Sequence, residues 1–214
     1  MTRFDCADPA DRAAGIDAAT AEIAAGNLVV LPTDTVYGLA ADAFSADAVQ
    51  RLVSAKGRGR EMPPPVLIGA PATLEALAAE VPTWLRAMTA ELWPGPLTVI
   101  CREQPSLNWD LGETRQTVAV RVPNHDVALA VLKATGPLAV SSANLTGEPA
   151  ATTIDEAEQM LGDAVAVYLD AGISPGGVAS TILDVTAPTP RILRDGPVGL
   201  DVLHRFNNTI EAGV

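Results

Sequence analysis

The sequence is poor in the residues that most enzymes use for covalent or metal chemistry. It holds two histidines and two cysteines in 214 residues. His125 and His204 are too few for a His-rich transition-metal site. Cys6 and Cys101 lie far apart with no partner motif, so neither a disulfide framework nor a thiolate metal site is supported, and both read as reduced structural thiols. No Ser-His-Asp or Cys-His set points to a covalent intermediate. Aromatic residues make up 4% of the chain, which leaves little to stack on bases. No stretch approaches the roughly 18 uninterrupted apolar residues of a membrane span, and the first twenty residues mix Asp and Arg with Ala rather than forming a leader. The expectation is a cytoplasmic protein with no membrane contact.

Positive charge is also scarce. Lys and Arg number 14 against 26 Asp and Glu, for a formal net charge of −12 and a pI near 4.4. That balance argues against a broad footprint on nucleic acid, so any anion must be bound by local cations. Any metal should be a hard ion brought in by a nucleotide. Hydrophobic residues at 48% and charged residues at 19% are ordinary for a globular chain, and no repeat, low-complexity block or linker interrupts it. One domain, 1–214 with a core of about 15–200, is expected.

The informative stretch is Asn27 to Pro65. Leu28 to Leu31 is a short apolar run suited to a strand covered on both faces. Pro32 ends it, and Thr33, Asp34 and Thr35 follow in a hydroxyl-rich loop. Ala46 to Ala55 has helical spacing of Val49, Leu52 and Val53, with Gly57 as a stop. Arg51, Lys56, Arg58 and Arg60 then place four cations within ten positions. In an extended segment Lys56, Arg58 and Arg60 would point to one side, a row suited to phosphate or carboxylate. A solvated basic loop at a helix C-terminus explains the same row.

Elsewhere, Asp8 to Gly26 reads as an Ala-rich helix, and Pro63 to Pro65 as a stiff lead into a strand at Val66 to Ile68. Helices are expected at Ala72 to Ala79 and Pro82 to Leu92. "WPGPLTVIC" is a rigid turn before a strand, and residues 102–116 are a polar loop or hairpin. Thr117 to Val122 alternates as a strand in which Arg121 is the oddity, either a structural ion pair or a bidentate partner for a substrate carboxylate. His125 to Lys133 reads as a helix and Pro137 to Val140 as a strand. "SSANLTG" then forms a second hydroxyl-rich loop, read as an anion-binding concavity or a simple Ser or Asx turn. Thr153 and Glu156 signal a capping box for a helix to Leu161. Strands at 165–169, 181–185 and 188–193, a Gly-rich loop that is no P-loop because no Gly-Lys-Ser/Thr follows, a helix over 198–206 and a frayed tail complete the order. The fold expected is α/β (α+β): a twisted mixed β-sheet flanked by helices, with a concave cationic cleft at one side.

"PTDTVYGL" with "KGR" about twenty residues on, then "WPGPLT", "TVAVRVP", "SSANLTG", "ASTILDV" and "ILRDGPV" in order, resemble the YrdC-like family, in its short single-domain form. The family makes L-threonylcarbamoyladenylate from L-threonine, bicarbonate and ATP with release of pyrophosphate, and serves the tRNA adenosine beside the anticodon. The resemblance implies a nucleotidyltransferase in which Lys56 and Arg58 bind ATP phosphates as the catalytic pair. Thr117, Ser142, Asn144 and Arg194 would complete the ATP site, and Thr35, Arg121 and Ser180 would bind threonine. It also implies Mg2+ arriving with ATP, no resident metal, and a separate tRNA threonylcarbamoyltransferase downstream. The chain departs from the family at "GREMPPPVLIG", where an Asn-Pro-Leu type segment and a His are usual. Two other readings are an RNA-binding module of the same fold without synthase activity, which the charge and the few aromatics count against, and a carbamoyl-transfer domain, whose usual zinc-finger cysteines are missing.

Overall fold

In a computed structural model of the chain, residues 1–213 are described. The strands are β1 (Thr2–Asp5), β2 (Val29–Leu31), β3 (Gly38–Asp42), β4 (Val66–Leu67), β5 (Leu97–Arg102), β6 (Thr117–Arg121), β7 (Leu138–Ser142), β8 (Val167–Asp170), β9 (Thr181–Asp184) and β10 (Arg191–Arg194). The helices are α1 (Pro9–Ala24), α2 (Ala46–Ala55), α3 (Leu74–Leu77), α4 (Thr83–Leu92), α5 (Asp126–Thr135), α6 (Ile154–Leu161) and α7 (Leu200–His204).

Local signals account for most of these limits. Asp8 accepts hydrogen bonds from Ala10 and Asp11 at the start of α1, just before Pro9 at the first helical position. Ser45 caps α2 through Ala48 N–H, and α6 has the full capping box between Thr153 and Glu156. The helices of α2 bury Val49, Leu52 and Val53, the residues whose spacing marks it in the sequence.

All ten strands join one sheet in the order β1-β8-β2-β3-β7-β4-β6-β5-β9-β10. Pairings are mixed: β1, β8 and β2 are parallel, β3 is antiparallel to both β2 and β7, and β9 is parallel to β5 but antiparallel to β10. Because β3 runs opposite to both neighbours, β2 and β7 point the same way. Their C-terminal ends, and with them the Thr33–Thr35 and Ser142–Asn144 turns, therefore emerge at the same edge of the sheet.

Two apolar layers flank the sheet. On one face, Ala19 and Ile23 of α1 and Val127, Val131 and Leu132 of α5 cover Leu31, Ala40, Leu67, Leu138 and Val140. The larger core on the opposite face gathers α2, α3, α4 and α6 over Leu39, Val66, Val99, Val118 and Val120. Alternation along β6 sends Val118 and Val120 into that core and leaves Thr117, Ala119 and Arg121 on the first face. There α1 and α5 stop short, and the uncovered strip over β6, β5 and β9 forms a concavity.

Four departures from expectation have physical causes. β1 and β3 carry little strand signal: β1 is a polar, largely exposed edge, and β3 is "GLAAD", small residues fitted between β2 and β7. A Cβ on Gly38 would lie 2.7 Å from Val140 Cγ1, so this position cannot take an ordinary strand residue without a shift. The helix expected over 72–79 is a 3-10 turn, Pro71–Thr73, followed by the four-residue α3. The tail is tied down rather than frayed as far as Glu211, which bridges Arg191, with Ile210 buried.

Candidate active site

The concavity has a volume of about 420 Å3 and is lined by Thr35, Arg58, Thr117, Arg121, Ser142, Ser180 and Arg194, joined by Thr33, Gly38, Pro63 to Pro65, Thr98 and Ser141. A pocket of this size holding a few convergent polar groups is the usual form of a small-molecule site.

One wall is built from the loop after β2. Thr33 Oγ1 donates to Val36 O at 2.6 Å and accepts from Thr35 N–H at 3.1 Å, a hydroxyl-closed turn of the kind Ser and Thr favour. That turn presents Thr35 Oγ1 to Arg121, whose Nη1 donates to it at 2.9 Å. Arg121 Nε donates to Gly95 O at 3.0 Å and Nη2 to Asp34 Oδ1 at 2.5 Å. Arg121 therefore forms the structural ion pair of one sequence reading, with Asp34, and it also borders the cavity. A guanidinium carries five N–H groups, so two remain beyond these three bonds. Burial lowers the Arg121 pKa, the Asp34 carboxylate opposes the shift, and Arg194 adds to it.

Two more arginines line the cavity. Arg194 sends Nε and Nη2 to Ser180 O at 3.0 and 2.8 Å, and Ser180 Oγ lies 2.7 Å from Thr98 Oγ1. Arg58 Nη1 makes a long 3.5 Å contact with Ser141 Oγ, while its buried Nε has no partner. A half-buried guanidinium that lines a cavity and has no carboxylate partner is suited to an anion. Thr117 is turned toward its own loop, donating to Thr114 O at 2.7 Å.

Not every expected residue reaches the cavity. Lys56 is 1% exposed, and its ammonium donates to Ser142 O, Asn144 O and Asn144 Oδ1. Burial and the adjacent Arg58 push it down to about 8, whereas three oxygens matched to the charged form oppose that shift. Asn144 gives its amide to Leu145 O and Glu148 O, so it braces its own turn. Nor do Lys56, Arg58 and Arg60 form the expected row. Gly57, at φ +63°, reverses the chain between the first two, and Arg60 instead pairs with Asp110 at the surface. Arg51 donates to Gly26 O.

The Gly-rich loop closes one side of the site. Tyr37 Oη donates to Gly172 O at 2.7 Å, and Ser174 Oγ to Thr33 O at 3.1 Å. Gly176 crosses so near the Thr33–Thr35 turn that a Cβ there would sit 2.5 Å from Asp34 O. Sequence reasoning passed over Thr98 and Ser141. For Thr98 the one signal is a hydroxyl inside an otherwise apolar strand, which alternation turns into the cavity, whereas Ser141 lines it out of step with Val140, beside Arg58 Nη1.

Comparison with known proteins agrees with this architecture. The Sua5/YciO/YrdC family, described as telomere recombination, matches residues 21–196. A Mycobacterium leprae relative carrying a provisional threonylcarbamoyl-AMP synthase name is 54% identical over 197 residues, 92% of this chain and 90% of the relative. The threonylcarbamoyl-AMP synthase of Pyrococcus abyssi is 35% identical over 181 residues, and this chain spans 84% of itself but 53% of that protein in the match. The crystal structure of P. abyssi Sua5 complexed with L-threonine superposes with a TM-score of 0.91 at 31% identity, covering 99% of this chain and 62% of that one.

Proposed function

The chain belongs to the Sua5/YciO/YrdC family, and from that premise we propose that it condenses L-threonine, bicarbonate and ATP to threonylcarbamoyl-AMP and pyrophosphate. It is an enzyme of the nucleotidyltransferase class that works in tRNA modification. The observation that carries the finer reading is one cavity lined by three arginines, each set against hydroxyl groups. Arg121 donates to Thr35, Arg194 donates to Ser180, and Arg58 reaches Ser141.

In this reading the threonine carboxylate lies on the free N–H edge of Arg121, beside Thr35 and Ser180. Its amine adds to bicarbonate with loss of water to give a carbamate. A carbamate oxygen then attacks the α-phosphorus of ATP, the bond to the β-phosphate oxygen breaks, and pyrophosphate leaves. Arg58, Ser142, Thr117 and Arg194 hold the triphosphate. Such a reaction asks the protein for positioning and for stabilisation of phosphate charge, with no nucleophile of its own. The lining contains no Asp or Glu, and no group of three or more His, Cys, Asp or Glu able to hold an ion occurs among the described residues. This donor set fits Mg2+ carried in on ATP phosphates rather than bound by side chains. The ion would neutralise the leaving pyrophosphate.

The same reading takes residues 1–214 as one domain and the protein as cytoplasmic, handing its product to a separate tRNA threonylcarbamoyltransferase. No helix among the described residues is long and apolar enough to cross a membrane.

Pyrophosphate release by the pure protein with ATP and Mg2+ tests the proposal, with L-threonine and bicarbonate added or omitted. Release that requires both, and is lost in Arg58→Ala, supports it. Pyrophosphate release that does not depend on threonine, from folded protein that binds ATP, overturns it and shifts the weight to RNA binding or other carbamoyl chemistry.

A further inference from the structure

Lys56 stands at the C-terminal end of α2 with its stem and ammonium enclosed. Its three N–H groups meet three oxygens of a single turn: Ser142 O at 2.5 Å, Asn144 O at 2.6 Å and Asn144 Oδ1 at 3.2 Å. Its own carbonyl accepts the N–H of Thr146 at 2.9 Å. The residue thus grips both ends of the turn, and no donor is left for a phosphate oxygen. A buried ammonium with no carboxylate beside it persists only if every N–H is satisfied, and here the main chain of the turn supplies that satisfaction. Asn144 then locks the far side through Leu145 O and Glu148 O.

We propose that Lys56 is a positioning residue that latches the Ser142–Thr146 turn to the end of α2. It thereby fixes Ser142 at the cavity wall and leaves direct contact with the nucleotide's phosphates to Arg58. The proposal rests on the reading that Ser142 and Arg58 face the nucleotide. Arg58 lines the cavity, whereas Lys56 is absent from the lining and its ammonium is spent on the turn.

The chain has two lysines, Lys56 and the exposed Lys133, so reductive methylation with 13C-formaldehyde reports on both at once, beside the amino terminus. The latch predicts that Lys56 reacts roughly tenfold or more slowly than Lys133, as local opening must precede reaction, and equally slowly with or without ATP and Mg2+. A Lys56 that reacts as fast as Lys133 in free protein and is shielded by ATP overturns the proposal, for that is how a direct phosphate ligand behaves. Lys56→Met keeps the stem and removes the charge. In it the amides of Asn144 and Thr146 should exchange with deuterium roughly tenfold or more faster, with exchange in β8 unchanged. Its effect on the KM for ATP should not add to that of Ser142→Ala, because both act through one hydroxyl. Unchanged exchange in the turn, or additive effects, refutes the latch. Methylation and exchange need no catalysis, so a wild-type protein that releases no pyrophosphate would end the synthase reading while these two readouts still decide the role of Lys56.

Discussion

Arg121 and Asp34 form an ion pair with 2.5 Å between Nη2 and Oδ1, both side chains largely shielded from solvent, and the same oxygen accepts the N–H of Asn124 at 2.9 Å. One carboxylate therefore joins the loop after β2, the end of β6 and the start of the connection to α5. Removing it leaves a guanidinium buried without a counter-charge, which costs about 3–5 kcal/mol. Asp34→Ala should lower the melting temperature by roughly 6–20 °C, at about 2–4 °C per kcal/mol for a chain of this size. Asp34→Asn, which keeps an oxygen for Asn124, should fall in between. A thermal melt of Asp34→Ala within a degree of wild type would show that the pair is dispensable.

Arg121→Lys separates charge from geometry. A lysine ammonium can pair with Asp34 but cannot offer a planar edge to a carboxylate as well. If threonine binds there, the KM for threonine should rise about 10- to 100-fold, the loss of one charge-assisted hydrogen bond of roughly 1.5–3 kcal/mol, with the KM for ATP little changed. Steady-state pyrophosphate release with each substrate varied measures the split. An equal rise in both constants would place Arg121 in general architecture instead.

Much of this site was legible because its strongest signals are local. The helix Ala46–Ala55 follows from the spacing of its apolar residues, and the α6 capping box is written in Thr153 and Glu156. Alternation in β6 turns Arg121 toward the cavity while Val120 enters the core. What the sequence hid depends on pairs distant along the chain. Nothing local says that the Lys56 ammonium meets a turn 86 residues away, or that Gly57 sends it there by breaking the extended row. β3 was hidden for the same reason, since "GLAAD" becomes a strand only because β2 and β7 flank it.

Gly176 lies where the Gly-rich loop crosses the Thr33–Thr35 turn, and a Cβ there would stand 2.5 Å from Asp34 O and 3.0 Å from Thr35 Cα. Neither atom belongs to a flexible side chain, so the backbone must move. Gly176→Ala should cost about 1–3 kcal/mol as overpacking does and should raise the KM for threonine, because the displaced turn carries Thr35. Chemical denaturation and the threonine titration check the two halves. A stable variant with normal threonine dependence would mean that the loop yields freely.

The capping box at Thr153 offers a control away from the chemistry. Thr153 Oγ1 accepts from Glu156 N–H, and Glu156 reaches back to Thr152 and Thr153 N–H. Thr153→Ala should lose about 1 kcal/mol of stability. Activity at 25 °C should stay as in wild type, and a drop in rate without a drop in stability would contradict this division between scaffold and site.

Alkaline titration tests the buried groups together. Burial pushes the Cys6 thiol up to about 11 and Cys101 up to about 12 from an ordinary 9.0, and Tyr37 and Tyr168 each up to about 12 from 10.0. In each case the unfolded chain ionises first, so it holds fewer protons than the folded chain and stability falls as pH rises past the ordinary value. Lys56 has the opposite sign. Its ammonium is lowered to about 8 from 10.5, so between those values the unfolded chain holds more protons and stability gains with pH. The lysine and thiol effects therefore oppose each other between about pH 9 and 10.5, and above 10.5 only losses remain. Urea unfolding free energies measured from pH 8 to 11.5 should be flat or slightly rising at first and then fall steeply. Cys101→Ala should soften the fall, and Lys56→Met should remove the early gain. A monotonic decline from pH 8 in wild type, unaltered in Lys56→Met, would show that the Lys56 ammonium keeps its proton up to the ordinary value, held by its three oxygen partners.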